Sequence, residues 1–262
     1  MKKNVLPAIG YLALGAAAAF FAVALAGLFW KMAETAPQRS FSAERAWFAV
    51  RLSLSSATIS TALAMAFALP AGYVLSRRNF AGKSVLEAAL LLPMVISPVA
   101  LGALLLIFFD TPTGRFIEKV TGPVVFETRG IVAAQFVVIA GLAVTLAKTV
   151  FDYVGRDYED TARALGCGET ETFFRVTLPI ASRGLAASAI LVWARALGEF
   201  GASVTLAGAT TYKTETLPVA IYLALASADV YHTGVLIILS FAMALAVLFI
   251  LKKAASSQGG HY

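Results

Sequence analysis

Apolar residues fall into long blocks separated by short polar stretches, and each of six blocks reaches the roughly 20 residues that a helix needs to cross a bilayer. They run Val5–Trp30, Ala46–Ser76, Ser84–Phe109, Ile131–Phe151, Gly184–Gly208 and Thr233–Leu251. The second is longer than a bare crossing requires, so it is expected to tilt or to begin outside the hydrocarbon. A seventh apolar stretch, Leu217–Ala226, is too short to span and is read as a re-entrant or interfacial helix. The first block is too long for the core of a signal peptide and lacks a convincing cleavage site, so it is read as a retained span. The pattern predicts an all-α integral membrane protein of about six transmembrane helices.

Two blocks carry residues that interrupt it. Pro93 and Pro98 lie within Leu92-Pro93-Met94-Val95-Ile96-Ser97-Pro98, where each proline removes a backbone donor and predicts a kink or break. A helix broken at membrane depth must have its freed carbonyls satisfied by protein or water, which places this segment against other helices or a cavity. The second block is dense in small and hydroxyl residues from Ser53 to Ala62, including Thr58 and Ser60. Such residues either pack helices closely or line a polar path. In the fifth block Arg195 and Glu199 stand four apart, able to share a helix face, either as a structural ion pair or as part of a path or gate. Ser203 and Thr205 follow as weaker lining candidates.

Composition agrees with lipid as the solvent. The chain is 59% hydrophobic and 14% charged, against roughly 45–50% and 25% in soluble domains. A soluble enzyme is excluded. The net charge of +6 sits in singles and pairs beside the apolar blocks, with no basic stripe and no interleaved aromatics, so nucleic acid is not an expected partner. Of the 21 basic residues, twelve fall on the side that holds both termini and the segment Asp152–Arg183, eight on the other, and Arg195 within a span. That bias puts both termini in the cytoplasm. Cys167 is the single cysteine, which excludes an internal disulfide. His232 and His261 are the two histidines and form no metal signature; no catalytic residue and no metal site are expected.

The longest charged segment reads as two short amphipathic helices about a turn. Asp157 is placed to cap the first, Gly166 to end it, Glu169 and Glu171 to favour the start of the second, and Pro179 to redirect the chain before the fifth span. Glu159, Asp160, Thr161 and Ala162, then Gly166, Val176, Leu178 and Pro179, resemble the coupling-helix motif of ABC importer permeases. Asp160-Thr161-Ala162 stands where the family has Glu-Ala-Ala, a mild departure that keeps charge and small size. The resemblance implies the type I importer fold and a separate ATPase dimer that binds ATP and Mg, since this chain has no phosphate-binding loop of its own. It also implies that no cofactor is held by the chain.

The string Ala194-Arg195-Ala196-Leu197-Gly198-Glu199-Phe200-Gly201-Ala202 is similar to the corresponding helix of molybdate permeases and, more loosely, of sulfate permeases. Phe80-Ala81-Gly82-Lys83, the proline segment and Thr216-Leu217-Pro218 add to it. The implied organisation is an N-terminal helix and loop at 1–45, a permease domain at 46–251 and a short cytoplasmic tail at 252–262. The implied partners are a second copy of the chain, the ATPase dimer and an extracytoplasmic oxyanion-binding protein, at a prokaryotic plasma membrane. The implied cargo is molybdate or tungstate, with sulfate or thiosulfate as the alternative. An ion-coupled secondary transporter would share the composition but leaves the charged segment without a purpose and usually shows a repeat of its halves, which is not seen.

Overall fold

The computed structural model describes residues 5–35 and 42–256, and among them every regular element is helical. Lys2, Lys3, Pro37, Arg39, His261 and the 257–262 part of the tail lie outside the described residues. The spans are α1 (Val5–Glu34), α2 (Ala43–Arg77), the pair α3 (Lys83–Val95) and α4 (Pro98–Asp110), α6 (Thr128–Tyr153), α9 (Leu178–Leu197) and α12 (Val230–Ser256). Shorter helices join them: α5 (Pro112–Thr121), α7 (Arg156–Ala164), α8 (Glu169–Thr172), α10 (Gly201–Ala207) and α11 (Leu217–Ala226). Five helices are long and apolar enough to cross a membrane, or six when the bent pair α3–α4 is taken as one crossing.

The core is the bundle of α2, α6 and α9. Ala57, Ala64 and Ala68 on α2 are fully buried and bring that helix close to Val138, Ile139, Val144 and Phe151 of α6. Small side chains serve close approach here, because lipid supplies no hydrophobic drive for helix association. Gly72 marks a close approach of α2 to α6: a Cβ there would stand 2.9 Å from that of Ala147. Ser60 meets Gln135 and Ser76 meets Asp152, so α2 and α6 run parallel. Trp193 meets Thr58, while Thr177 and Arg77 share Glu159, so α9 runs antiparallel to α2. α1 lies at the periphery, exposed along nearly its whole length and touching α12 where Met32 covers Gly234.

Four expectations require correction. Pro93 does not break its helix; α3 continues through it to Val95, and the break falls at Ile96-Ser97, with a bend of 107°. Pro98 forces the preceding residues to extended ψ values of 142° and 131° and then starts α4, where its missing N–H costs nothing. The fifth block is not one helix: α9 stops at Leu197, Gly198-Glu199-Phe200 breaks the chain, and α10 is a separate short helix. Asp157 caps nothing, since the N-cap of α7 is Gly155. Pro179 does not redirect the chain, because α8, a π turn at Phe173–Thr177 and α9 form one continuous span. The wide turn is closed by the Leu178 N–H to the Phe173 carbonyl, and it lets a proline follow without a kink. Between the third and fourth apolar blocks, Pro112 opens α5 and the Thr111 hydroxyl accepts the Gly114 N–H.

The two broken crossings meet. Gly201 at the start of α10 faces Pro98 at the start of α4, where a Cβ would come within 2.8 Å of the proline ring. One turn on, Gly102 of α4 lies against Ala202 and Thr205 of α10.

Gly72→Leu is expected to force α2 and α6 apart at a cost of about 1–3 kcal/mol, the usual range for overpacking. Thermal unfolding in detergent will show a clear drop for Gly72→Leu. Gly10→Leu, on α1 with nothing within 4 Å of the added atom, will unfold with the wild type.

Candidate functional site

At one end of the bundle a buried carboxylate joins four elements. Glu159, in α7, is 2% exposed and receives the Nε of Arg77 at 2.9 Å and the hydroxyl of Thr177 at 2.9 Å. Tyr73 donates from its hydroxyl at 3.4 Å, and Arg163 stands 3.5 Å from the second oxygen. Arg77, only 8% exposed, also donates to the carbonyls of Phe151 and Val154 at the end of α6, at 2.9 and 3.0 Å. One ion pair therefore ties the ends of α2 and α6 to α7 and to the π turn. Burial opposes the charged form of Glu159, but the Arg77 and Thr177 hydrogen bonds and the Arg77 and Arg163 charges outweigh it. The carboxyl is held below its ordinary range.

α7 ends as Gly166 requires. With φ at +94°, Gly166 occupies the left-handed region that glycine tolerates best. Its N–H reaches the Arg163 carbonyl at 2.9 Å and the Cys167 N–H reaches that of Ala162 at 3.1 Å, the paired bonds of a Schellman turn. Glu169, opening α8, is bridged to Arg78 at 2.7 Å. The expected motif positions divide by direction. Glu159 and Ala162 face inward and are buried, Val176 and Leu178 are half-buried, and Asp160, Thr161, Gly166 and Pro179 are exposed. Tyr158, Leu165 and Phe174 stand out from the same end, with Leu165 82% exposed. The result is an apolar knuckle anchored to the bundle through the Arg77–Glu159 pair.

The candidates in the spans do not form one cluster. Arg195 bridges Glu199 at 2.8 Å, as expected, but Glu199 lies in the break after α9 rather than on its face. The other carboxylate oxygen accepts the Ala202 N–H at 3.0 Å and so caps α10. Ser60 is buried; its hydroxyl lies 2.8 Å from Gln135, whose amide donates to the Ala196 carbonyl, so this group joins α2, α6 and α9 rather than lining a path. Thr58 is exposed and accepts the Trp193 indole N–H at 3.0 Å. Thr205 bonds back to Gly201, and Ser203 is buried without a hydrogen-bond partner. Sequence reading missed Arg77, Tyr73, Thr177 and Gln135. Arg77 closes an apolar block and reads as a membrane-edge charge, and nothing local marks a partner 82 positions away.

Residues 64–255 match the family described as binding-protein-dependent transport system inner membrane component. The molybdate/tungstate transport system permease protein WtpB of Pyrococcus abyssi is 36% identical over 159 residues, covering 61% of this chain and 60% of that one. The molybdenum transport system permease protein ModB of Mycobacterium bovis is 38% identical over 181 residues, covering 67% of each. The match thus spans about three fifths of the length of the first curated relatives. A subunit of the bacterial alginate ABC transporter, crystallised with an alginate-bound periplasmic protein, superposes with a TM-score of 0.75. It covers 94% of this chain and 92% of its own at 16% identity, a likeness of fold alone.

Glu159→Gln leaves Arg77 buried without its countercharge, a loss of about 3–5 kcal/mol. Because the native carboxyl titrates below its unfolded value, its stabilisation is present above the unfolded pKa and vanishes as pH falls through the folded one. Thermal unfolding from neutral to acid pH will show the wild type losing this increment, and Glu159→Gln will start lower with a flatter slope. Glu199→Ala will destabilise more than Arg195→Ala, since only the former also uncaps α10. The double variant will be milder than the sum of the two.

Proposed function

The chain belongs to the family of binding-protein-dependent transport system inner membrane components, and from that premise we propose that it is the permease subunit of an ATP-driven importer of tetrahedral oxyanions, molybdate or tungstate. The observation that carries this reading is the construction of residues 156–177. They make a solvent-facing helix, a Schellman turn and a second helix, anchored to the membrane bundle through the Arg77–Glu159 pair. The names of the relatives supply the cargo.

Two copies of the chain enclose the path, an ATPase dimer holds ATP and Mg, and an extracytoplasmic binding protein delivers the anion. Both termini and the 156–177 unit then lie in the cytoplasm, in keeping with the basic bias of the sequence. Closure of the ATPases moves the knuckle of α7 and α8. Because Glu159 fixes α7 to α2 and to the π turn that leads into α9, that motion cannot be absorbed locally and must reorient whole spans. ATP binding then favours one of two arrangements of the bundle by the difference in how the ATPases hold the knuckle.

The reconstituted complex of permease, ATPase and binding protein will take up molybdate and tungstate with ATP, and sulfate will compete weakly. Sulfate or thiosulfate uptake in preference to both metal oxyanions overturns the cargo. Gly166→Val places a β-branched residue at positive φ, a strain of about 1–3 kcal/mol that the turn can relieve only by unwinding. The variant will insert and fold, with stability lowered by no more than that strain, yet its ATPase stimulation and uptake will collapse together. Full uptake by Gly166→Val removes residues 156–177 from the coupling role.

A further inference from the structure

Along α2 one cation has no countercharge. Arg45 is held by Glu215 and Arg77 by Glu159, as Lys148 of α6 is by Asp152 and Arg195 of α9 by Glu199. Arg51 stands eight residues into α2, is exposed, and forms no ion pair with any described residue. It projects into an open cleft of about 450 Å3 whose other lining includes Glu44, Trp47, Phe48, Ser55 and Tyr212. Phe48 and Tyr212 stack edge to face, 5.7 Å between ring centres, and form one wall of it.

The same helix face continues inward as a polar track. Ser55 and Thr58 follow Arg51 by one and two turns, and both are exposed. An unpaired arginine above two hydroxyls is a poor surface to offer hydrocarbon, since charged residues within spans almost always face the bundle interior or a water-filled cavity. This face is therefore turned to water within the assembly. Trp193 fixes α9 to Thr58, and since α9 is antiparallel to α2, Arg195 lies from that contact toward the Arg51 end. Arg195 comes already neutralised by Glu199, while Arg51 brings a free fork of donors that fits two oxygens of a tetrahedral anion at once.

We propose that Arg51 is the anion-capturing residue at the outer end of the path, selecting for charge before the anion passes Ser55, Thr58 and the Arg195–Glu199 pair. The assignment rests on the oxyanion reading above. Glu44, in the same cleft two turns toward the outer end, opposes a lasting stay and keeps the capture transient. Ser55 and Thr58 donate their hydroxyl protons to the Leu52 and Leu54 carbonyls, so below Arg51 the track is wet but not strongly binding. That suits passage rather than storage.

The test uses the complete transporter in proteoliposomes, with Arg51→Gln and Arg51→Lys variants, and reads molybdate uptake per ATP hydrolysed at subsaturating anion. Arg51→Gln is expected to lower this ratio by about tenfold or more, since one charge near a protein surface commands at least that at contact distance. Arg51→Lys will recover most of it, and binding-protein affinity will be unchanged in both. Raising ionic strength will slow wild-type uptake and leave the Arg51→Gln remainder nearly flat. Wild-type ratios in Arg51→Gln overturn the assignment alone, as does a loss of binding-protein affinity, which would make Arg51 a protein-docking residue. If Arg51→Gln fails to insert, the salt series on the wild type decides, and uptake indifferent to salt refutes capture by charge. A wild-type complex that moves no oxyanion overturns the functional reading and this assignment with it.

Discussion

The contact between Arg77 and Glu159 is the constraint from which the rest of the molecule's mechanics follow. Two charges removed from water at the edge of a membrane are tolerated only when nearly every donor and lone pair is satisfied. That requirement recruits Tyr73, Thr177 and the carbonyls of Phe151 and Val154 into one arrangement. Together the partners come from four elements, so the pair fixes α2, the end of α6, α7 and the π turn relative to one another. A hydrophobic patch of the same area could slide. A shared carboxylate with directional bonds cannot, which suits the transmission of displacement proposed for this unit.

The π turn matters for the same reason. Thr177 must face Glu159 while Leu178 and Ala181 face the core and Pro179 follows without its N–H. Widening one turn at Phe173–Thr177 resets the helix phase and absorbs the proline. The segment proposed to couple therefore enters the membrane as one continuous rod from Glu169 to Leu197. A hinge at Pro179, which the sequence suggests, would have uncoupled the knuckle from the span.

Much of this architecture is legible in the sequence because a bilayer reads a chain crudely. Lipid demands length and apolarity, so the block Ala46–Ser76 predicts α2, observed as Ala43–Arg77, and Ile131–Phe151 predicts α6, observed as Thr128–Tyr153. Gly166 and Pro98 are legible because their backbone chemistry leaves few options. The break at Gly198-Glu199-Phe200 is not, since apolar and small residues continue on both sides of it, Arg195 and Glu199 read equally well as an i,i+4 pair on one helix, and the cap from Glu199 to Ala202 exists only once the chain has turned. Arg77 illustrates the deeper limit. A basic residue at the end of an apolar block satisfies the topology rule wherever it points, and its burial against Glu159 depends on the packing of α2 beside α6.

The placement of buried and exposed polar groups says which surface the molecule has finished. Toward α6, polar groups close on one another: Ser60 with Gln135, Gln135 with Ala196, Ser76 with Asp152. Toward the outside, α2 carries Arg51, Ser55 and Thr58 into the open, and the elbow from Met94 to Ser97 is bare. A broken helix and a polar track exposed together are intolerable against lipid, because a bilayer satisfies neither carbonyl nor guanidinium. They become acceptable if a second copy covers the elbow and encloses the track with water. On the proposed reading the single chain is half of a wall, and this unfinished face is where the path would run.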